Sequence, residues 1–76
     1  MKMTKEINCK IIRNIAVLVS FEKGWQTELN EVSWNGERPK FDIRRWNAHH
    51  DRCSKGITLT REETINLLSA LQKELN

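Results

Sequence analysis

Lys40-Phe41-Asp42-Ile43-Arg44-Arg45-Trp46 is the run whose alternation decides the fold class. Apolar Phe41 and Ile43 interleave with Lys40, Asp42 and Arg44, the period of a strand with two unlike faces. The Phe41 and Ile43 face is expected to meet the core, leaving Arg45 near the rim. Lys40, Asp42, Arg44 and Trp46 share the other face. Pro39 marks the strand entry, because it has no N–H to give a central ladder. Downstream, residues 47–56 read as a polar loop and Ile57-Thr58-Leu59 as a short fourth strand. Thr60 followed three residues later by Glu63 fits a capping box, and Glu62 and Glu63 suit a positive helix start. The helix is expected to run to about Leu75. Its Leu67, Leu71, Leu75, Leu68 and Ile65 cover roughly 160° of the surface at helical spacing. That stripe is wide enough to cover a sheet and still meet a partner helix.

Upstream, Ile7, Cys9 and Ile11 alternate with Asn8 and Lys10, and a β-branched run follows from Ile15 to Val19. One long strand is expected over residues 7–20, with a bend or bulge near Asn14. Gly24 signals a turn. A second strand is expected over residues 25–34. There Leu29 and Val32 break strict parity, so either a bulge near Asn30 or Glu31 realigns them or both faces carry apolar contacts. Asn35-Gly36 is the strongest hairpin signal, although Glu37-Arg38-Pro39 lengthens the loop. Four antiparallel strands with one covering helix form the simplest architecture, an α+β fold.

Seventy-six residues make one small domain and exclude a large enzyme fold. A core of that size is marginal, and dimerisation would relieve it. Residues 1–5 are polar and expected to be disordered, with a single domain over residues 6–76. The longest apolar run, Ile15 to Val19, is too short to span a bilayer as a helix. The N-terminus shows no signal-peptide pattern, and Cys9 and Cys53 make no disulfide framework, so a cytoplasmic protein is expected, with nucleoid association compatible. The net charge of +3 is unevenly spread. Between Arg38 and Arg61 there are seven basic residues against two acidic ones, whereas the rest holds six against eight. A local positive field of this kind favours a polyanion.

Catalytic and metal chemistry find little support. His49, His50, Cys53 and the distant Cys9 lack zinc-site spacing. Gly24, Gly36 and Gly56 are isolated and form no phosphate loop. Asp51 beside His50 is adjacency in a loop, not a catalytic geometry. Neither enzyme activity nor a cofactor is expected. The Lys40, Arg44 and Trp46 face is the best site candidate: alternate side chains stand about 6.6 Å apart, an indole can stack on a base, and basic groups can reach phosphates. Trp25 and Trp34 could extend that platform. A sheet face favours single strands over duplex. Asp42 stands among these cations and could pair with Arg44.

Phe41-Asp42-Ile43-Arg44-Arg45-Trp46, a polar loop, then Lys55-Gly56-Ile57-Thr58-Leu59-Thr60 running into a helix resembles the transcriptional positive cofactor 4 family. Gly24-Trp25, then Glu28-Leu29-Asn30-Glu31-Val32-Ser33-Trp34-Asn35 and Pro39 to Arg44, looks closer still to its small bacterial branch, the YdbC-like proteins. The resemblance covers about residues 6–75. It implies a curved four-stranded antiparallel sheet followed by one C-terminal helix, paired as a symmetric homodimer through the helices. Leu67, Leu68, Leu71 and Leu75 would then lie at that interface. It also implies non-catalytic binding of single-stranded DNA with little sequence preference, and a role in transcription regulation or single-strand handling, with the transcription machinery as a partner class. By motif position Arg44 resembles the phosphate-contacting arginine, with Lys40 at the start of the same strand and Trp46 at its aromatic end. Trp34 lies near a second family aromatic, and Trp25, Arg38 and Lys55 complete the candidate set. Many relatives carry two consecutive aromatics where this chain has Arg45-Trp46-Asn47. The rival readings are an RNA-binding protein or a protein-interaction module using the same sheet face. A duplex-reading helix is disfavoured, because the only helix is leucine-rich.

Overall fold

The computed structural model describes residues 9–76. The expected disordered segment 1–5 and the first residues of the expected long strand lie outside the described residues. One antiparallel sheet is built from β1 (Cys9–Ser20), β2 (Gln26–Trp34), β3 (Lys40–Trp46) and β4 (Ile57–Leu59) in sequential order. α1 (Arg61–Leu75) follows directly. Each neighbour in space is thus a neighbour in sequence, which keeps loop closure local.

β1 carries the irregularity. Its twelve residues span the same ladder as the nine of β2, with register shifts between Ile11 and Arg13, Asn14 and Ala16, and Val17 and Val19. Ile12, Ile15 and Leu18 are therefore the extra residues of three bulges, and each bulge bends the strand and raises its twist. The bend expected near Asn14 is one of the three. β2 itself is regular against β3, from Gln26 opposite Trp46 to Val32 opposite Lys40. No bulge at Asn30 or Glu31 realigns Leu29 and Val32; the two stand on opposite faces, and both faces carry apolar contacts.

The turns follow their residues. A single turn of 3₁₀ helix at Glu22–Gly24 joins β1 to β2. Asn35 (φ 52°) and Gly36 (φ 75°) both take left-handed backbone, and Glu37 N–H donates to the Trp34 carbonyl at 2.8 Å. These are the central residues of a type I′ turn, where Asn-Gly is the favoured pair. Thr60 caps α1 reciprocally: its hydroxyl accepts from Glu63 N–H at 3.1 Å, and the Glu63 carboxylate accepts from Thr60 N–H at 2.8 Å.

The core sits on the face opposite the one expected. Val32, Trp46, Glu28, Asn30 and Asp42 are buried, and the register places all five on one face with Lys40 and Arg44. Phe41 and Ile43, expected to meet the core, are only half-buried on the other. The reason lies in α1. It contacts chiefly β3 and β4, buries none of its own residues, and leaves Ile65, Leu67, Leu68, Leu71 and Leu75 exposed. The helix therefore does not cover the sheet within one chain, whereas long polar side chains of the other face fold over one another.

Candidate nucleic-acid interface

Three buried or half-buried polar side chains organise the centre of this face. Arg44 grips Asp42 with both ends of its fork, Nε to Oδ1 at 2.7 Å and Nη2 to Oδ2 at 2.9 Å. Nη1 donates to the Ser54 carbonyl at 3.3 Å. The Thr58 hydroxyl donates to Asp42 Oδ2 at 2.7 Å and accepts from the Trp34 indole N–H at 3.0 Å. The guanidinium lies 4.9 Å from the Trp34 ring centroid, a cation–π contact. Asp42 hydrogen bonding holds Arg44 above its already high ordinary pKa, so the group stays charged. Gly56 makes the approach of β4 feasible, because a Cβ there would collide with Arg44 Cβ and the Ile43 carbonyl oxygen. That close contact, rather than a left-handed turn, is what glycine supplies at this position.

A second polar chain runs beside the first. Asn14 Nδ2 donates to Asn30 Oδ1 at 2.7 Å, and Asn30 Nδ2 donates to Glu28 Oε1 at 3.0 Å. His50 Nε2 lies 2.9 Å from Glu28 Oε2. A carboxylate only accepts, so Nε2 carries the proton. The His50 ring stacks on Trp46 with centroids 5.9 Å apart. The loop that delivers it is tied by Asn47, whose Oδ1 accepts from the N–H groups of Asp51 and Arg52 at 3.1 and 3.0 Å. Asn47 Nδ2 also donates to Asp51 Oδ1 and lowers that carboxyl's pKa.

The candidate residues divide accordingly. Lys40, Arg44 and Trp46 share a face, as their alternation requires, and Trp34 joins Arg44 there. Arg38, Lys40 and Lys55 are exposed. Trp46, expected as an open stacking surface, is 2% exposed beneath His50, with its indole N–H unpartnered among the described residues. It is a packed aromatic because the 47–53 loop folds back over the end of β3. Trp34 is the half-exposed indole of this face. Trp25 does not extend the platform; it lines a cavity with Arg45, whose side chain points to the opposite side of the sheet from Arg44. Arg44 spends three of its five N–H donors on Asp42 and Ser54, a further contact reaches the Cys53 thiol, and the side chain is 11% exposed, so only its outer edge is open to a ligand.

Sequence reasoning missed the Glu28, Asn30 and His50 chain. Its signal was the parity of Glu28 and Asn30 with Val32, three residues on the face shared with Asp42. Among the described residues no three His, Cys, Asp or Glu side chains gather as a metal site, and no helix is long and apolar enough to cross a membrane.

Residues 21–70 match the family described as Transcriptional Coactivator p15 (PC4). An uncharacterized protein of Treponema pallidum (strain Nichols) is 38% identical over 66 residues, covering 87% of this chain and 78% of the relative.

Proposed function

The chain belongs to the Transcriptional Coactivator p15 (PC4) family, and from that membership we propose that it binds single-stranded DNA with little sequence preference. Proteins of the family are non-catalytic. The proposed role is in transcription regulation or single-strand handling, performed by one nucleic-acid-binding domain over residues 6–76, within the small bacterial YdbC-like branch. The observation that carries the reading is the half-exposed Trp34 ring, oriented by Thr58 and overlaid by Arg44, two residues of the basic segment that runs from Arg38 to Arg61. Bases would stack on Trp34, and phosphates would lie against Lys40, Arg38 and Lys55, with the small exposed edge of Arg44 adding a fixed contact. Trp46 supports the loop from below.

The exposed leucines Leu67, Leu68, Leu71 and Leu75 support a symmetric homodimer through α1, since an uncovered apolar stripe marks an interaction surface. Two sheets would then offer two strand sites.

The test is fluorescence anisotropy of a labelled single strand across a salt series, with Arg38, Lys40 and Lys55 each replaced by alanine. These side chains are exposed, so the fold should persist. Each lost phosphate contact should reduce the slope of log K against log salt by about 0.7. Slopes unchanged in all three variants would defeat the reading. Equal affinity for the matching RNA strand would assign the face to RNA as well.

A further inference from the structure

A second aromatic and basic site stands on the other side of the sheet. Phe21 and Trp25 flank the turn between β1 and β2, where Phe21 N–H donates to the Trp25 carbonyl at 2.7 Å. Lys23 (φ 65°) and Gly24 (φ 83°) supply the left-handed backbone that closes it. A Cβ on Gly24 would come within 2.8 Å of Ala48 Cβ, so the turn is seated against the loop after β3. This closure places both rings on an open cavity of about 570 Å³, whose other walls are Glu22, Arg45 and Ser54. That volume is in the range of small-ligand sites.

The chemistry of the walls is specific. Arg45 lies 4.3 Å from the Phe21 ring centroid, which fixes the guanidinium plane while leaving its N–H edges free to bind an anion. Its backbone is anchored, since Arg45 N–H donates to Ser54 Oγ at 3.1 Å and Ser54 N–H donates to the Arg45 carbonyl at 3.0 Å. Trp25 offers a half-exposed indole. Glu22 disfavours a bare anion and can accept from the N–H groups of a base edge. An aromatic surface, an acceptor and a guanidinium in one cavity match a base with its adjoining phosphate.

Resting on the single-strand reading above, we infer that the Phe21, Trp25 and Arg45 cavity receives one unstacked base of the bound strand, with Arg45 on its phosphate. Successive residues of β3 then serve the two sides of the sheet, Arg44 toward Trp34 and Arg45 toward Trp25.

The three tryptophans give three indole N–H signals in a ¹H–¹⁵N spectrum, and Trp25→Phe and Trp34→Phe together assign all three. Addition of an oligothymidylate to the full chain should shift the Trp25 signal. Arg45→Ala should abolish that shift, weaken binding severalfold and reduce the salt slope by about 0.7, while Arg45→Lys restores the slope. An undisturbed Trp46 signal reports that each variant is folded. If anisotropy shows the strand bound while Trp25 stays unmoved and Arg45→Ala behaves as wild type, the inference is overturned and the single-strand reading stands. If the strand does not bind, both are overturned. A Trp25 shift that follows protein concentration alone would mean that a second copy fills the cavity. A shift with thymidine monophosphate but not with the strand would mean a free nucleotide site. Either result overturns the inference.

Discussion

Replacing Asp42 with asparagine should cost far more than a change of one atom suggests. The side chain is wholly buried, and that of Arg44 is 11% exposed, so solvent screens the pair little. In the native face Oδ2 accepts from both Arg44 Nη2 and Thr58 Oγ1. The introduced carboxamide keeps one acceptor oxygen and puts an NH₂ group in place of the other. At whichever position that NH₂ group stands, a donor then faces the donors of Arg44. The Arg44 charge is also left without its counter-ion. Removing one partner of a buried pair typically costs about 3–5 kcal/mol, and asparagine's retained acceptor places this case near about 3 kcal/mol. With a urea m-value of about 1–1.5 kcal/mol per molar for a chain of this size, the midpoint should fall by about 2–3 M. Unfolding followed by tryptophan fluorescence at one fixed protein concentration reads this directly, because any dimer adds a concentration term. Adding Arg44→Met to Asp42→Asn should recover part of the loss, since it removes the unpaired charge. A midpoint shift below about 0.5 M for Asp42→Asn would refute the buried ion pair as the organiser of this face, as would a double variant whose losses simply add.

Three further outcomes follow from the geometry. Thr60→Ala removes the hydroxyl that accepts from Glu63 N–H, and should lower stability by about 1 kcal/mol and Tm by several degrees; an unchanged calorimetric Tm would place the helix start outside the cooperative unit. Burial, reinforced by the negative charge of Asp42 and opposed by Arg44, pushes the Cys9 thiol above its ordinary pKa. In a Cys53→Ser background at pH 8, Cys9 should therefore hold less thiolate and alkylate with iodoacetamide more slowly than after unfolding in urea, and equal rates would contradict this. Leu71→Asp puts a charge on the exposed stripe of α1, and should reduce the mass seen by light scattering to that of one 9.0 kDa chain; a mass unchanged from a dimeric wild type would move the interface elsewhere.

The strands, the hairpin and the helix were legible because each rests on local chemistry. Asn35-Gly36 demands left-handed backbone wherever it occurs, and Thr60 with Glu63 caps a helix without reference to the rest of the chain. The bulge after Asn14 was readable from the break in alternation, but those at Ile12 and Leu18 were not, since apolar residues on both sides hide a register shift. The choice of buried face was misread for a different reason. Phe41 and Ile43 carry the apolar signal, but a face is buried only where something covers it, and α1 lies chiefly beside β3 and β4. Glu28, Asn30 and Asp42 are buried by satisfying one another and their neighbours, a cooperative property that no single residue type announces.

The candidate site divides along the same line. Lys40 and Arg44 fell on one face because parity within a regular strand is local, and Trp34 joins them through the β2–β3 register. Trp46 shares that parity, yet the loop from Asn47 returns His50 over it, and the length of a loop does not tell where its side chains land. Trp25 and Arg45 line one cavity because the β2–β3 ladder sets Thr27 opposite Arg45 and so brings Trp25 diagonal to it on the same face, a register between strands that alternation within either strand does not state.

The central claim is that this sheet holds a single strand through stacking and phosphate contacts. Anisotropy of one labelled oligonucleotide, presented as a single strand and as a duplex at two salt concentrations, tests it most directly. Tighter binding to the single strand that weakens steeply as salt rises is the predicted result. A folded protein that binds neither form at low salt, or that prefers the duplex, would contradict it.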